Sequence, residues 1–298
     1  MAARGDTNVS RNLWVAALAL ALLPAATAAA DPAVWRVTGD DGAEVTLLGS
    51  MHILRSSDHP LPVVVDDLIA RAELIVMELD FDDIDAAAQQ RVILATAMLP
   101  QGTVLADVID AAVYRLVEQT AGELGIELER LEHFEPWFLA VTLLDQGMRR
   151  FGFQAERGIE QYVLNKAQRT RKEIVGLETL EFQIGIFDSL PAESQQAMLE
   201  QTLAEIDEAQ TALAAMADAW RNGELESLSA ELLDDFDQFP GLYETLVTKR
   251  NQAWVPTLER MLADGGHQLV VVGALHLVGR DSVIELLRAR GHNVVRVH

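Results

Sequence analysis

The chain has 298 residues, of which 50% are hydrophobic and 23% are charged, a balance typical of a folded globular protein rather than a disordered one. Its net charge is −23, and a surface this acidic repels phosphate backbones, which argues against nucleic-acid binding. Cysteine is absent, which excludes disulfides, a cysteine nucleophile, a thiolate metal site and a lipid-modified N-terminal cysteine.

The first 30 residues carry the pattern of a secretory signal peptide. Arg4 and Arg11 precede an apolar run from Leu13 to Leu23, and a series of small residues follows Pro24. The run is too short for a comfortable membrane span, although an uncleaved N-terminal anchor is the alternative interpretation. We therefore expect a mature protein that begins near Asp31, is periplasmic or secreted, and has no membrane association after the signal is removed.

The mature chain is predicted to begin with a β-hairpin. Apolar runs at 34–37 and 43–48 flank an Asp41-Gly42 turn signal. A helix is predicted from Pro62 to Ala72, and a strand that ends at Glu78 follows it.

The middle of the chain is predicted to be a large helical insertion, from about residue 85 to about residue 265. Breaks are expected at Pro100-Gln101-Gly102 and near Gly152, and one strand near 172–178 interrupts the insertion. Pro191 signals a helix start, and another helix begins at Pro240 and ends at Gly265-Gly266.

The C-terminal segment has a βαβ pattern. The predicted elements are a strand at 268–275, a helix at 281–290 and a strand at 293–297. We therefore predict a single mixed α/β domain spanning residues 31–298, whose central sheet is built from both chain ends.

Four predicted strands end on a residue that can bind a metal or carry a proton: His52, Glu78, Glu178 and His276. In open α/β sheets, ligands and catalytic groups collect at the carboxyl ends of the strands. These four side chains, distant in sequence, are therefore expected to form one site. Without cysteine, a metal there would rely on His and carboxylate ligands, which favours zinc, manganese, iron or cobalt without choosing among them.

The two histidines share a Gly-x-x-His motif, at Gly49 to His52 and at Gly273 to His276. A glycine at a strand end allows a sharp bend and a close approach by another element. Each histidine is then a candidate metal ligand or general base. A single copy would more simply cap a strand, but two copies on matching strands favour a functional role.

The charged candidates each allow two interpretations. Glu78 is a third metal ligand or the base for a metal-bound water, or else a cap for a following helix, and the same alternatives apply to Glu178. Arg250 either belongs to a solvated helix face or binds a substrate carboxylate or an oxyanion.

Several familiar motifs are missing from the sequence. It has no His-Glu-x-x-His zinc motif, no Gly-x-Ser-x-Gly nucleophile elbow and no glycine-rich phosphate loop. The remaining histidines fit no shared spacing and are expected to be surface or structural residues: His59, His133, His267, His292 and His298.

The chain resembles the TraB/GumN family, of which the Tiki proteases are distant members, and it is most similar to the bacterial GumN-like members. The likeness covers nearly the whole mature chain, and its motifs occur in the family's order. They are 47–52, Glu78-Leu79-Asp80, Gly158-Ile159-Glu160, Gly176-Leu177-Glu178-Thr179 with Gln183, Arg250-Asn251, and 272–279.

The resemblance implies a fold similar to that of the erythromycin-esterase and ChaN-like proteins, and a metal-dependent hydrolase activity. It assigns metal or catalytic roles to His52, Glu78 and His276. Glu178, Arg250 and Asn251 would take supporting roles. Glu160 departs from the family pattern, which usually has Asp there, and the longer side chain would shift a ligand.

The first functional hypothesis is an exported metal-dependent hydrolase, most simply a peptidase acting on a peptide or small molecule with manganese, zinc or cobalt. His52, Glu78 and His276 would hold the metal, and Glu78, Glu178 and Arg250 would serve the chemistry. The second hypothesis is a protein that binds a metal, haem or peptide without turnover. The third is a metal-free hydrolase in which His and Glu act as acid and base on an ester.

Overall fold

The computed structural model describes residues 31–39, 42–80, 86–233 and 240–298. The predicted signal segment, residues 1–30, lies outside the described residues, as do Asp40 and Asp41 of the predicted hairpin turn. Within the described part of the chain, no helix combines the length and the apolar character that a membrane crossing needs.

The strands form one six-stranded mixed sheet with the order β4-β3-β5-β2-β1-β6. Their bounds are β1 Val34–Thr38, β2 Glu44–Ser50, β3 Leu74–Leu79, β4 Glu173–Glu178, β5 His267–Gly273 and β6 Val294–Arg296. The four strands from β4 to β2 are parallel, whereas β1 is antiparallel to both β2 and β6. The predicted mixed α/β fold is confirmed, including a central sheet drawn from both chain ends.

Helices follow or precede most strands. Their bounds are α1 Val63–Arg71, α2 Ala86–Ala97, α3 Leu105–Val108, α4 Ala111–Leu124, α5 Pro136–Arg150, α6 Ile159–Thr170, α7 Leu180–Asp188, α8 Ala192–Glu205, α9 Ala209–Asn222, α10 Leu225–Leu233, α11 Pro240–Tyr243, α12 Lys249–Asp264 and α13 Val283–Ala289.

The three central strands, β3, β5 and β2, are buried on both faces of the sheet. Successive strand residues point to opposite faces, so each strand packs against both layers of helices. Val271 of β5 packs with helices α1 and α6, whereas its neighbour Val270 packs with helices α12 and α13. Strands buried on both faces read as continuous apolar runs, which is the pattern that the sequence shows. The remaining helices include a third apolar cluster of their own, formed by α3, α4, α5 and α8.

The helical elements differ from the sequence prediction in two places. A non-helical stretch separates α4 from α5, since Gly125 adopts a left-handed conformation (φ 74°) and ends α4. The helix predicted from Pro240 contains a five-residue π-helical segment, Glu244–Thr248, directly before α12. In addition, β6 runs in the direction of β5, but β2 and β1 lie between them.

Candidate functional site

The four parallel strands place their carboxyl ends at one edge of the sheet, and the structure brings the predicted side chains together there. Glu78 lies in β3 and Glu178 ends β4. His52 lies just beyond β2, and His276 lies in the 3₁₀ turn Ala274–Leu277 that follows β5.

The two Gly-x-x-His motifs lie side by side, because β2 and β5 pair in parallel with Ser50 opposite Gly273. A Cβ at Gly49 would be 3.0 Å from Cα of Ala274 in the other motif. A Cβ at Gly273 would be 3.1 Å from Nε2 of His52 and 3.3 Å from Oε1 of Glu78. Each glycine therefore leaves space for the other motif, and Gly273 lets His52 and Glu78 approach the same point.

Arg250 connects the acidic residues of β3 and β4. Its Nη2 donates to Oε2 of Glu78 at 2.6 Å and to Oε2 of Glu178 at 2.8 Å. The amide of Gln183 donates to the same two carboxylates, and the indole N–H of Trp254 donates to Glu178 at 2.8 Å. Because Arg250 and Glu178 are almost fully buried, this network fixes both carboxylates before any ligand binds.

Glu78 is held in its ionised form. Burial by itself would raise its pKa, but His276, His52 and Arg250 and the backbone N–H of Gly273 together lower the pKa to about 2. The Gly273 N–H donates to Oε1 at 2.7 Å. The site therefore contains a carboxylate rather than a carboxylic acid at neutral pH.

His276 is buried, and its tautomer follows from its neighbours. The side-chain amide of Asn251 donates to the carbonyl of Asp281 at 2.8 Å, which turns its oxygen towards His276. Nδ1 of His276 therefore donates to that oxygen at 2.7 Å, and Nε2 accepts from Nη1 of Arg250 at 3.2 Å. Burial, the first cause, lowers the pKa of His276 to about 3, so the ring is neutral.

His52 is the exposed member of the site, with 66% of its side chain open to solvent. Its Nδ1 donates to Oε1 of Glu160 at 2.6 Å, and the hydroxyl of Ser50 donates to the same oxygen. The charge of Glu160 is the largest of the influences that raise the pKa of His52 to about 9. Nε2 of His52 is left facing the Gly273 position beside Glu78.

The structure thus gives Glu160 a role that the sequence left open. Gly158 packs so closely on the carbonyl of His52 that a Cβ there would collide with it, and the N–H of Ile159 donates to Met51 at 3.0 Å. The Gly158-Ile159-Glu160 motif therefore docks the start of α6 onto the first Gly-x-x-His loop. Oε2 of Glu160 is buried and has no hydrogen-bond partner within the described residues.

The donor atoms only partly fit the predicted metal. Nε2 of His276 lies 3.8 Å from Oε1 of Glu78, so donors converge, but Arg250 already donates to that nitrogen. A metal bound there would have to replace this hydrogen bond and would face a guanidinium at contact distance. Within the described ranges, no group of three or more His, Asp or Glu side chains is arranged to hold a metal ion.

The fold and site define a class of protein: a mixed α/β protein whose acid–base side chains gather at the carboxyl edge of its parallel strands. The sequence profile of the TraB/PrgY/gumN family matches residues 33–296. The chain belongs to this family, as its motifs predicted.

The chain is similar to uncharacterized bacterial proteins. It is 28% identical to YbaP of Escherichia coli (strain K12) over 242 residues, which cover 81% of this chain and 87% of YbaP. It is 24% identical to a protein of Treponema pallidum (strain Nichols) over 274 residues, which cover 86% of this chain and 80% of that protein. No solved structure matches.

Proposed function

We propose that this protein is a hydrolase of peptide or ester bonds in which His52 takes the proton from the attacking water. The proposal rests on the exposure and the hydrogen bonding of His52. It is exposed, its Nδ1 is bound by the carboxylate of Glu160, and its Nε2 faces the same point as Glu78. A histidine oriented at one nitrogen and free at the other is the usual arrangement of a general base.

The chemistry assigned to each group follows from its charge. His52 acts as a base once its ring has lost its proton, which its raised pKa of about 9 places above neutral pH. With Nδ1 donating to Glu160, the neutral ring then accepts the proton of the attacking water at Nε2, and the carboxylates of Glu160 and Glu78 stabilise the imidazolium until it returns that proton to the leaving group. Glu178 and Arg250 act indirectly: Arg250 binds both carboxylates and so holds Glu78 in position.

The geometry favours the metal-free form of this hydrolase, because Arg250 supplies a positive charge where a metal would contact His276. The second candidate is the metal-dependent hydrolase, most simply a peptidase, with manganese, zinc or cobalt. The convergence of His52 and Glu78 on Gly273 and the unpartnered Oε2 of Glu160 favour it. His52 and Glu78 would hold the ion, and His276 would join them only if Arg250 moved away. A bound divalent ion would lower the pKa of a coordinated water.

The test uses residues 31–298 with libraries of peptides and of small esters, first after chelation and then with each metal added. We expect turnover after chelation that is lost in His52→Ala and kept in His133→Ala, a control at another solvent-exposed histidine. Turnover only with added metal would select the second candidate. Stoichiometric retention of a ligand with no product would reject both and indicate a binding protein.

We also propose that the protein is exported to the periplasm or beyond, on the sequence pattern of residues 1–30. Cell fractionation and N-terminal sequencing should find a mature chain beginning near Asp31. A full-length chain in the cytoplasmic fraction would contradict the export.

A further inference from the structure

Strand β4 is an open edge of the sheet. Within the part of the chain that the structure describes, β4 pairs with β3 and with no strand on its other side. Glu173 at its start and Gly176 in its middle are exposed to solvent. An edge strand presents unpaired N–H and C=O groups that can pair with another extended chain.

This open edge leads directly to the candidate site. The last residue of β4, Glu178, is bound to Arg250, which also binds Glu78 on the neighbouring strand β3. Gly176 has no side chain to cover the backbone, and it is exposed to solvent. The close approach of the Asp80 N–H, 2.7 Å from its Cβ position, comes from the end of β3 and by itself calls for a glycine here.

We propose that the edge of β4 binds an extended peptide substrate as an added strand, an inference that rests on the proposed hydrolase function. Addition of a peptide strand to a sheet edge uses main-chain hydrogen bonds for affinity, so it accepts many sequences. The net charge of −23 favours a neutral or basic peptide over an acidic one.

The sheet order sets the distance between the added strand and the reacting group. The added strand would lie three strand spacings from β5, where Gly273 and His52 meet, which is about 14 Å at about 4.8 Å per spacing. An extended chain covers that distance in about four residues, at about 3.3 Å per residue. The paired segment therefore begins about four residues from the bond that is cleaved, and shorter peptides lose it.

The first experiment scans a cleaved library peptide with single backbone N-methyl groups. N-methylation removes one N–H donor without changing a side chain, and an added strand directs every second N–H to its partner. We expect kcat/KM to fall about tenfold or more at alternate positions of the distal segment, the loss of one hydrogen bond of about 1.4 kcal/mol, with little effect between them.

The second experiment changes the protein at an exposed position of the edge. Glu173→Lys should reverse a preference for basic over acidic residues in the distal segment, by about tenfold in the ratio of kcat/KM values. Glu193→Lys, an identical charge change at an exposed position in α8, should leave the preference unchanged.

Failure of the β4 edge site and failure of the proposed hydrolase function give different results. A cleaved peptide that tolerates N-methylation throughout the distal segment, or cleavage of tetrapeptides as fast as of long peptides, overturns the edge site and leaves the hydrolase intact. Hydrolysis of esters alone, or no hydrolysis, overturns the peptide substrate itself. Sedimentation could instead reveal a dimer in which two β4 strands pair. If no substrate peptide dissociates that dimer, the edge is a dimer contact and the proposed peptide site is overturned.

Discussion

Nη1 of Arg250 donates a hydrogen bond to Nε2 of His276 over 3.2 Å, so the histidine nitrogen that could bind a metal is already in use. The same guanidinium pairs with Glu78 and Glu178. One arginine thus contacts three of the predicted site residues, and it holds the two carboxylates in place and occupies the histidine nitrogen.

Arg250→Met should therefore destabilise the fold strongly. The change leaves two buried carboxylates without their cation, and breaking a buried ion pair from one side costs about 3–5 kcal/mol. Urea unfolding monitored by circular dichroism measures the difference. Arg260→Met, at an exposed position of the same helix, should stay within about 0.5 kcal/mol of the parent. Equal stability of the two variants would show that the network contributes nothing.

Asn251→Ala should lower the free energy of unfolding by about 2 to 4 kcal/mol, because it leaves the Nδ1–H of His276 and the carbonyl of Asp281 without partners inside the protein. Asn165→Ala, at an exposed position of α6, is the matched control and should change stability little. NMR of the His276 ring would also detect loss of the single tautomer in Asn251→Ala. An unchanged tautomer would contradict the role assigned to this amide.

Activity should rise with pH and level off above about 9, because the base form of His52 must lose its proton first. Glu160 is the largest cause of the raised pKa, so Glu160→Gln should move the midpoint down towards the ordinary value of about 6.5. The maximal rate should also fall, since the ring loses its orientation. Glu156→Gln, at a nearby exposed position that pairs with Arg149, should keep the parent midpoint.

The stabilising effect of the Glu160 carboxylate on the fold should depend on pH in the opposite direction to activity. The folded pKa of His52 lies above its unfolded value, so the contribution of the His52–Glu160 pair is fully present below pH 6.5 and is lost as pH rises through about 9. The stability difference between the parent and Glu160→Gln should therefore shrink between pH 6.5 and pH 9.5. An activity that falls over this range in the parent would mean that His52 acts as a protonated acid.

Gly273→Ala should remove activity while leaving most of the fold intact. The added methyl would press on Nε2 of His52 at 3.1 Å and on Oε1 of Glu78 at 3.3 Å, and would displace both from their shared position. Gly122→Ala is the control, because nothing lies within 4 Å of its Cβ position on α4. If Gly273→Ala retained the parent kcat/KM, the reacting groups would not meet at this glycine.

The sequence predicted the strand ends because buried parallel strands appear as continuous apolar runs. The polar residue that follows each run marks where the strand ends. It also predicted that His52, Glu78, Glu178 and His276 share one edge. The contact of Glu160 with His52 could not be predicted from the sequence, because the residues at a helix N-terminus do not indicate which loop the helix packs against. The π-helical segment before Arg250 has no periodic signature, and only tertiary packing reveals it.

Strand β1 pairs with β2 on one side and with β6, the last strand of the chain, on the other. The sheet therefore reaches its full set of described strands only after β6 has been made and can pair with β1. A chain that must cross a membrane unfolded benefits from such late closure, because pairing between distant segments is slow to form. If the proposed export takes place, this topology would help to keep the chain translocation-competent until β6 has been made.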